Sequence, residues 1–81
     1  MPRVLEVNGY RFFFFSNEGD PRGPCHIHVR KGNALAKFWL EPEIELADSI
    51  GFTAGDLRFI KNTIHDNLTL MVEAWHECFN R

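Results

Sequence analysis

Tyr10-Arg11-Phe12-Phe13-Phe14-Phe15-Ser16 is the stretch on which the fold turns. A strand sends successive side chains to opposite faces, so four consecutive phenylalanines make a strand that is apolar on both sides. The 81-residue chain shows one long helical periodicity, and a single helix covers one face of a sheet. Something else must cover the other face. The stretch therefore points to a binding module or an oligomer before any chemistry is considered.

Working outward, Val4 to Val7 reads as a short strand, and Asn8-Gly9 joins it to the aromatic strand. Asn-Gly between two such runs predicts a type I′ hairpin, because both central residues then need positive φ. On the other side, residues 17–24 are turn-forming throughout and predict a loop. Cys25–Arg30 predicts a third strand, Lys31-Gly32-Asn33 a turn, and Ala34–Leu40 a fourth strand. With connections this short, the simplest topology is a four-stranded antiparallel β-meander. Glu41-Pro42 ends the sheet, and residues 43–52 read as a connector pinned to the core by Ile44, Leu46, Ile50 and Phe52.

Thr53 then caps a helix, with Asp56 three residues on, where a capping box usually has Glu or Gln. Leu57, Ile60, Ile64, Leu68, Met71, Trp75 and Phe79 recur at spacings of three and four, one apolar stripe on an amphipathic helix. Asp66-Asn67 marks its break point. Unbroken from Ala54 to Phe79 the helix spans about 39 Å, against about 23 Å for a seven-residue strand. It then overhangs the sheet and leaves Trp75 and Phe79 in need of a partner, unless it bends. The expected fold is α+β: residues 1–81 form one domain, with one long C-terminal helix packed on one face of the meander.

At this length folding removes only about 60–65% of the unfolded chain's surface, so the core is small. High apolar content and a net charge of −2 exclude a disordered chain. No apolar run approaches the roughly 20 residues of a membrane span. Met1-Pro2-Arg3-Val4-Leu5-Glu6 lacks the apolar stretch of a signal peptide, so the expectation is a soluble cytoplasmic protein with Cys25 and Cys78 reduced. The charge is unevenly divided. Residues 1–37 carry six basic groups against three acidic ones, and residues 38–81 carry three against eight. Such a split orients a charged partner but lacks the strongly basic balance of a dedicated nucleic-acid binder.

On the third strand His26, His28 and Arg30 share one face, and Cys25, Ile27 and Val29 the other. Matching apolar with apolar on the fourth strand sets Ile27, Val29, Ala36 and Phe38 under the helix. It leaves His26, His28, Arg30, Lys37 and Trp39 on the free face, although a one-residue slip would invert the pattern. Three readings compete for that face. In the first, two imidazoles at i and i+2 grip Zn²⁺, with Asp20 or a residue of a second subunit as third ligand, since Cys25 points away. In the second, His26 or His28 serves as base and acid in RNA cleavage. Arg30 and Lys37 then stabilise a phosphoryl transition state and Trp39 stacks a base. The third has the largest share: the histidines pack or hydrogen-bond, and Phe13, Phe15 and Trp39, with Trp75 from the helix, form a contact patch for a homodimer or a small partner protein. Whether the chain is an enzyme stays open, and so does RNA as a partner. No cofactor is required by the leading reading.

Tyr10–Ser16, Pro24-Cys25-His26-Ile27-His28-Val29 and Glu73-Ala74-Trp75 together resemble a bacterial family of small proteins, domain of unknown function 4160. Ala36-Lys37-Phe38-Trp39-Leu40 and Gly51-Phe52-Thr53 also look like family positions, so the resemblance covers nearly the whole chain. The family pattern Pro-Pro-His-x-His falls on Pro24, His26 and His28, with Cys25 in place of the second proline. What the resemblance implies is one component of a toxin–antitoxin-like gene pair whose free aromatic face binds its partner. The alternative remains a ribonuclease or metal-assisted hydrolase centred on His26 and His28.

Overall fold

The computed structural model describes residues 3–15 and 24–79. The predicted loop over residues 17–24, except Pro24, and Asp20 within it, lie outside the described residues. The elements run β1 (Arg3–Val7), β2 (Tyr10–Phe13), β3 (His26–Lys31), β4 (Ala34–Trp39), β5 (Glu45–Ile50), α1 (Ala54–Asp66) and α2 (Leu68–Phe79). The five strands form one antiparallel sheet in the order β1-β2-β3-β4-β5. The class is α+β and the meander is present, but it has five strands where four were expected and two helices where one was expected.

The turns follow their sequences. Asn8 and Gly9 have φ of 51° and 85°, the two positive values that a type I′ hairpin needs. Gly51, between β5 and α1, has φ of 86°, and a Cβ there would lie 3.1 Å from both Cα and Cβ of Ala34. Glycine is required at that position for its backbone and for the space. The peptide bond Glu41-Pro42 is cis.

Residues 45–50 are a strand, not a connector, and the reason they do not read as one is local. Lys37 pairs with Asp48 but Phe38 pairs with Leu46, so Ala47 is an extra residue at a bulge that breaks the alternation of faces. As an edge strand β5 is also almost wholly exposed. Of the four residues expected to pin the connector, Ile44 and Phe52 pack against the core, whereas Leu46 is exposed and Ile50 is 70% exposed.

The helix breaks where the sequence marks it, at Asn67. Thr63 Oγ1 donates to the Phe59 carbonyl at 2.8 Å, a back-bond that bends helices. Asn67 donates through Nδ2 to the Thr63 carbonyl at 2.8 Å, and its N–H reaches the Thr63 and Ile64 carbonyls at 3.1 Å. The Asn67 side chain thus enters the backbone ladder at the junction of the two helices. The Asn67 carbonyl then accepts from the Met71 N–H at 3.0 Å and starts the next helix. The stripe survives the break. Ile60, Ile64, Met71 and Trp75 all pack into one core with Tyr10, Phe12, Phe14, Ile27, Val29, Ala36, Phe38 and Leu40. Trp75 thereby finds its partners inside the molecule. Truncating a fully buried member such as Phe38 to Ala costs about 3–5 kcal/mol.

The start of α1 is tied to the sheet. Thr53 and Asp56 make a full capping box: the Asp56 N–H donates to Thr53 Oγ1 and the Thr53 N–H to Asp56 Oδ2, each at 3.0 Å. The other carboxylate oxygen, Oδ1, accepts from the Tyr10 hydroxyl at 2.6 Å. Asp56 therefore caps the helix and holds it to β2 at once. The Tyr10 bond, then the Thr53 backbone bond, hold the Asp56 carboxyl below the usual carboxylate range. The same bond, with burial second, pushes the Tyr10 phenol up. Among the described residues no helix is long and apolar enough to cross a membrane.

Candidate functional site

The core fills one face of the sheet, and cross-strand register decides what stands on the other. Arg3, Phe13, His28, Lys37 and Asp48 form one row across all five strands. On one side of it lies the row Glu6, Arg11, Arg30, Leu35 and Ile50. On the other side His26, Trp39 and Glu45 are paired, and Phe15, two residues past the end of β2, packs on His28. This is the register inferred by matching apolar residues on β3 and β4. His26, His28, Arg30, Lys37 and Trp39 are accordingly brought together on the open face, with Phe13 and Phe15 beside them.

The open face closes partly on itself. The His28 ring is stacked on Phe13 at a centroid distance of 5.8 Å and tilted against Phe15 at 4.4 Å, and Phe13 meets Phe15 edge-on at 5.3 Å. His26 meets His28 and Trp39 edge-on at 5.3 Å and 5.5 Å. The result is burial: His26 is 5% exposed, and His28 and Phe13 are 8% exposed. Trp39 and Phe15 are half-buried, and the Lys37 ammonium lies 4.5 Å from the Trp39 ring centroid, a cation–π contact. Trp75 is not on this face. The β2–β3 ladder ends at the pair Phe13–His28, and beyond it Trp75, 2% exposed, comes within 4.8 Å of the His26 ring and 5.4 Å of Phe14.

For a metal, His26 and His28 are the pair that would act. His26 Nδ1 lies 3.0 Å from the Pro24 carbonyl, which can only accept, so Nδ1 carries the proton in that contact. A carbonyl partner on the other ring nitrogen is usual for a histidine that binds zinc. Among the described residues no three His, Cys, Asp or Glu side chains are grouped to hold an ion. Cys25 is buried in the helix-side core, and burial, followed by the negative charge of Glu41, pushes its thiol up to about 12. It is a thiol at neutral pH, and so neither a ready ligand nor a nucleophile.

Two features of the face escape the reading of β3 and β4 alone. The first is a shallow groove of about 160 Å³ lined by Phe15, His28, Leu35, Lys37, Asp48 and Ile50, the last two contributed by the strand whose bulge hides it. The second is a cleft of about 410 Å³ lined by Arg3, Arg11, Phe13 and Arg30. Its signal was present as the basic surplus of residues 1–37 but needed the register to gather the arginines.

No curated protein and no solved structure matches the chain. The aromatic strand, the His-x-His strand and the helix that carries Trp75 occupy one continuous span, and a single family model covers it. That model matches residues 9–76, and the chain belongs to the family it describes, the domain of unknown function (DUF4160).

Proposed function

We propose that the chain is a small protein-interaction module, one component of a toxin–antitoxin-like pair, that associates with a second copy of itself through the β4–β5 half of the open sheet face. One observation carries this reading. Leu35 and Ile50 are cross-strand neighbours on that face, Ile50 is 70% exposed, and the next row holds the opposite charges Lys37 and Asp48. A two-fold axis running along the strands between β4 and β5 sets Leu35 on the partner's Ile50 and Lys37 on the partner's Asp48. The patch is self-complementary, as an isologous interface must be. The strip is narrow beside the roughly 800 Å² per partner of a standard interface, so the dimer is weak and dependent on concentration.

The charges give the test. Lys37→Asp and Asp48→Lys each place like charges across the axis and should abolish the dimer in light scattering, whereas the double exchange restores it. Monomers at every concentration, or a dimer indifferent to either single exchange, would overturn the reading. The toxin–antitoxin part rests on the family resemblance. Expressing the chain alone and together with the product of the neighbouring gene tests it, and the absence of both a growth effect and a complex would sink it.

The alternative is a ribonuclease or metal-assisted hydrolase with His26 and His28 as acid and base and Arg30 and Lys37 as charge stabilisers. It draws less support from the geometry. A general base must come within hydrogen-bond reach of the proton it takes, and both rings are enclosed by aromatic neighbours.

A further inference from the structure

The β1–β3 half of the open face lies outside that dimer strip and carries a different chemistry. Arg11 on β2 and Arg30 on β3 are direct cross-strand partners. Like charges directly opposite one another destabilise a sheet. Neither guanidinium makes an ion pair with a described carboxylate. Arg3 joins them from β1, where it stands opposite Phe13, the residue two along from Arg11 on the same face. The three side chains and the Phe13 ring line the cleft of about 410 Å³. A second recess of about 250 Å³ lies on the far side of the Arg11–Arg30 pair, against the hairpin glycines Gly9 and Gly32 and Lys31. The pair is therefore open to solvent from both sides.

Among the described residues the cleft has one compensating carboxylate, Glu6, opposite Arg11 in the ladder and 3.1 Å from Arg3 Nη1. Three guanidinium groups against one carboxylate leave a surplus of two positive charges. A phosphomonoester carries about −1.5 to −2 at neutral pH and offers three strong acceptor oxygens. A carboxylate has two oxygens and one charge, and a single arginine fork satisfies it. The cleft matches the first ligand in both charge and number of acceptors.

We propose that Arg3, Arg11 and Arg30, set around Phe13 on the open sheet face, form an oxyanion site that takes a phosphate group as its dianion. The ligand is either free phosphate or the terminal phosphate of a nucleotide, and the site acts whether or not the chain is a dimer.

The test is thermal unfolding of the whole chain in inorganic phosphate against chloride at matched ionic strength, with light scattering on the same samples. Phosphate should raise Tm saturably, as a ligand of the native state does. Arg30→Gln and Arg11→Gln should each weaken the apparent affinity about tenfold or more, since each removes a charge-assisted fork. Arg30→Gln should also raise Tm in chloride, because Arg30 faces Arg11 and Leu35 and no carboxylate across the ladder. A merely structural arginine would lower it. Adenosine monophosphate acting at lower concentration than phosphate identifies a nucleotide as the source, and equal potency identifies the free ion. Three results overturn the proposal: no phosphate effect beyond chloride, an effect unchanged in both variants, or an equal saturable effect from a glutamate-rich peptide, which would make the cleft a seat for an acidic protein. Loss of the dimer with the phosphate response intact would refute the interaction reading alone.

Discussion

His28→Ala separates a packed ring from a catalytic one. The imidazole is 8% exposed, stacked on Phe13 and tilted onto Phe15 at 4.4 Å, with His26 edge-on at 5.3 Å. Each aromatic pair contributes about 0.5–1.5 kcal/mol beyond its area, and truncation leaves a void that the sheet cannot fully close, so the loss is about 2–3 kcal/mol. For a domain of this size each kcal/mol moves Tm by about 4–8 °C, which puts the fall at about 10–20 °C. Circular dichroism melts of wild type and variant at neutral pH read it directly. Trp39→Ala is the control, because its ring is half-buried and rests on Lys37 and His26, so it should lower Tm by less while removing the dimer. An unchanged melt for His28→Ala would refute the packing argument. If it came with loss of a hydrolytic activity, it would move the assignment to the enzyme reading.

Other measurements probe the framework. A disulfide reagent at mildly alkaline pH should find one fast thiol in the native chain, the half-buried Cys78, and a second only in denaturant, because Cys25 is buried with its thiol pushed up to about 12; two fast thiols would contradict this. Asp56 is held below its ordinary pKa, so its contribution to stability is complete above the carboxylate range, near pH 4, and is lost as pH falls through its lower folded value. Tyr10 is raised, so its contribution is complete below about pH 10 and is lost as pH rises through its higher folded value. Tyr10→Phe should flatten both limbs of the stability profile, and a profile identical to wild type would remove the hydrogen bond from the account.

The parts of this fold that sequence makes legible are those where one local rule acts alone. Asn8-Gly9 dictates its turn through positive φ, and the stripe from Leu57 to Phe79 names the core-facing residues of both helices. The register of β3 with β4 follows from matching apolar faces, and it brings His26, His28, Arg30, Lys37 and Trp39 together. Legibility stops where a second interaction overrides the period. The extra Ala47 at the β5 bulge shifts Leu46 and Asp48 to opposite faces, so an exposed edge strand reads as a connector. The Asn67 side-chain amide shares the Thr63 carbonyl with its own backbone N–H, which the position suggests but the stripe conceals. The histidines look exposed in sequence because alternation sets them opposite the helix, whereas Phe13, Phe15, Trp39 and Trp75 close around them in the fold. The arginine cleft depends on three strands meeting, beyond the reach of any local pattern.

Native mass spectrometry of the untagged protein over a concentration series, with and without a strong chelator, tests the interaction face most directly, because it reads subunit number and bound metal together. A metal-free dimer whose share rises with concentration and disappears in Ile50→Glu is expected. A monomer at every concentration that carries one zinc ion, lost on chelation, would contradict it and make His26 and His28 the site.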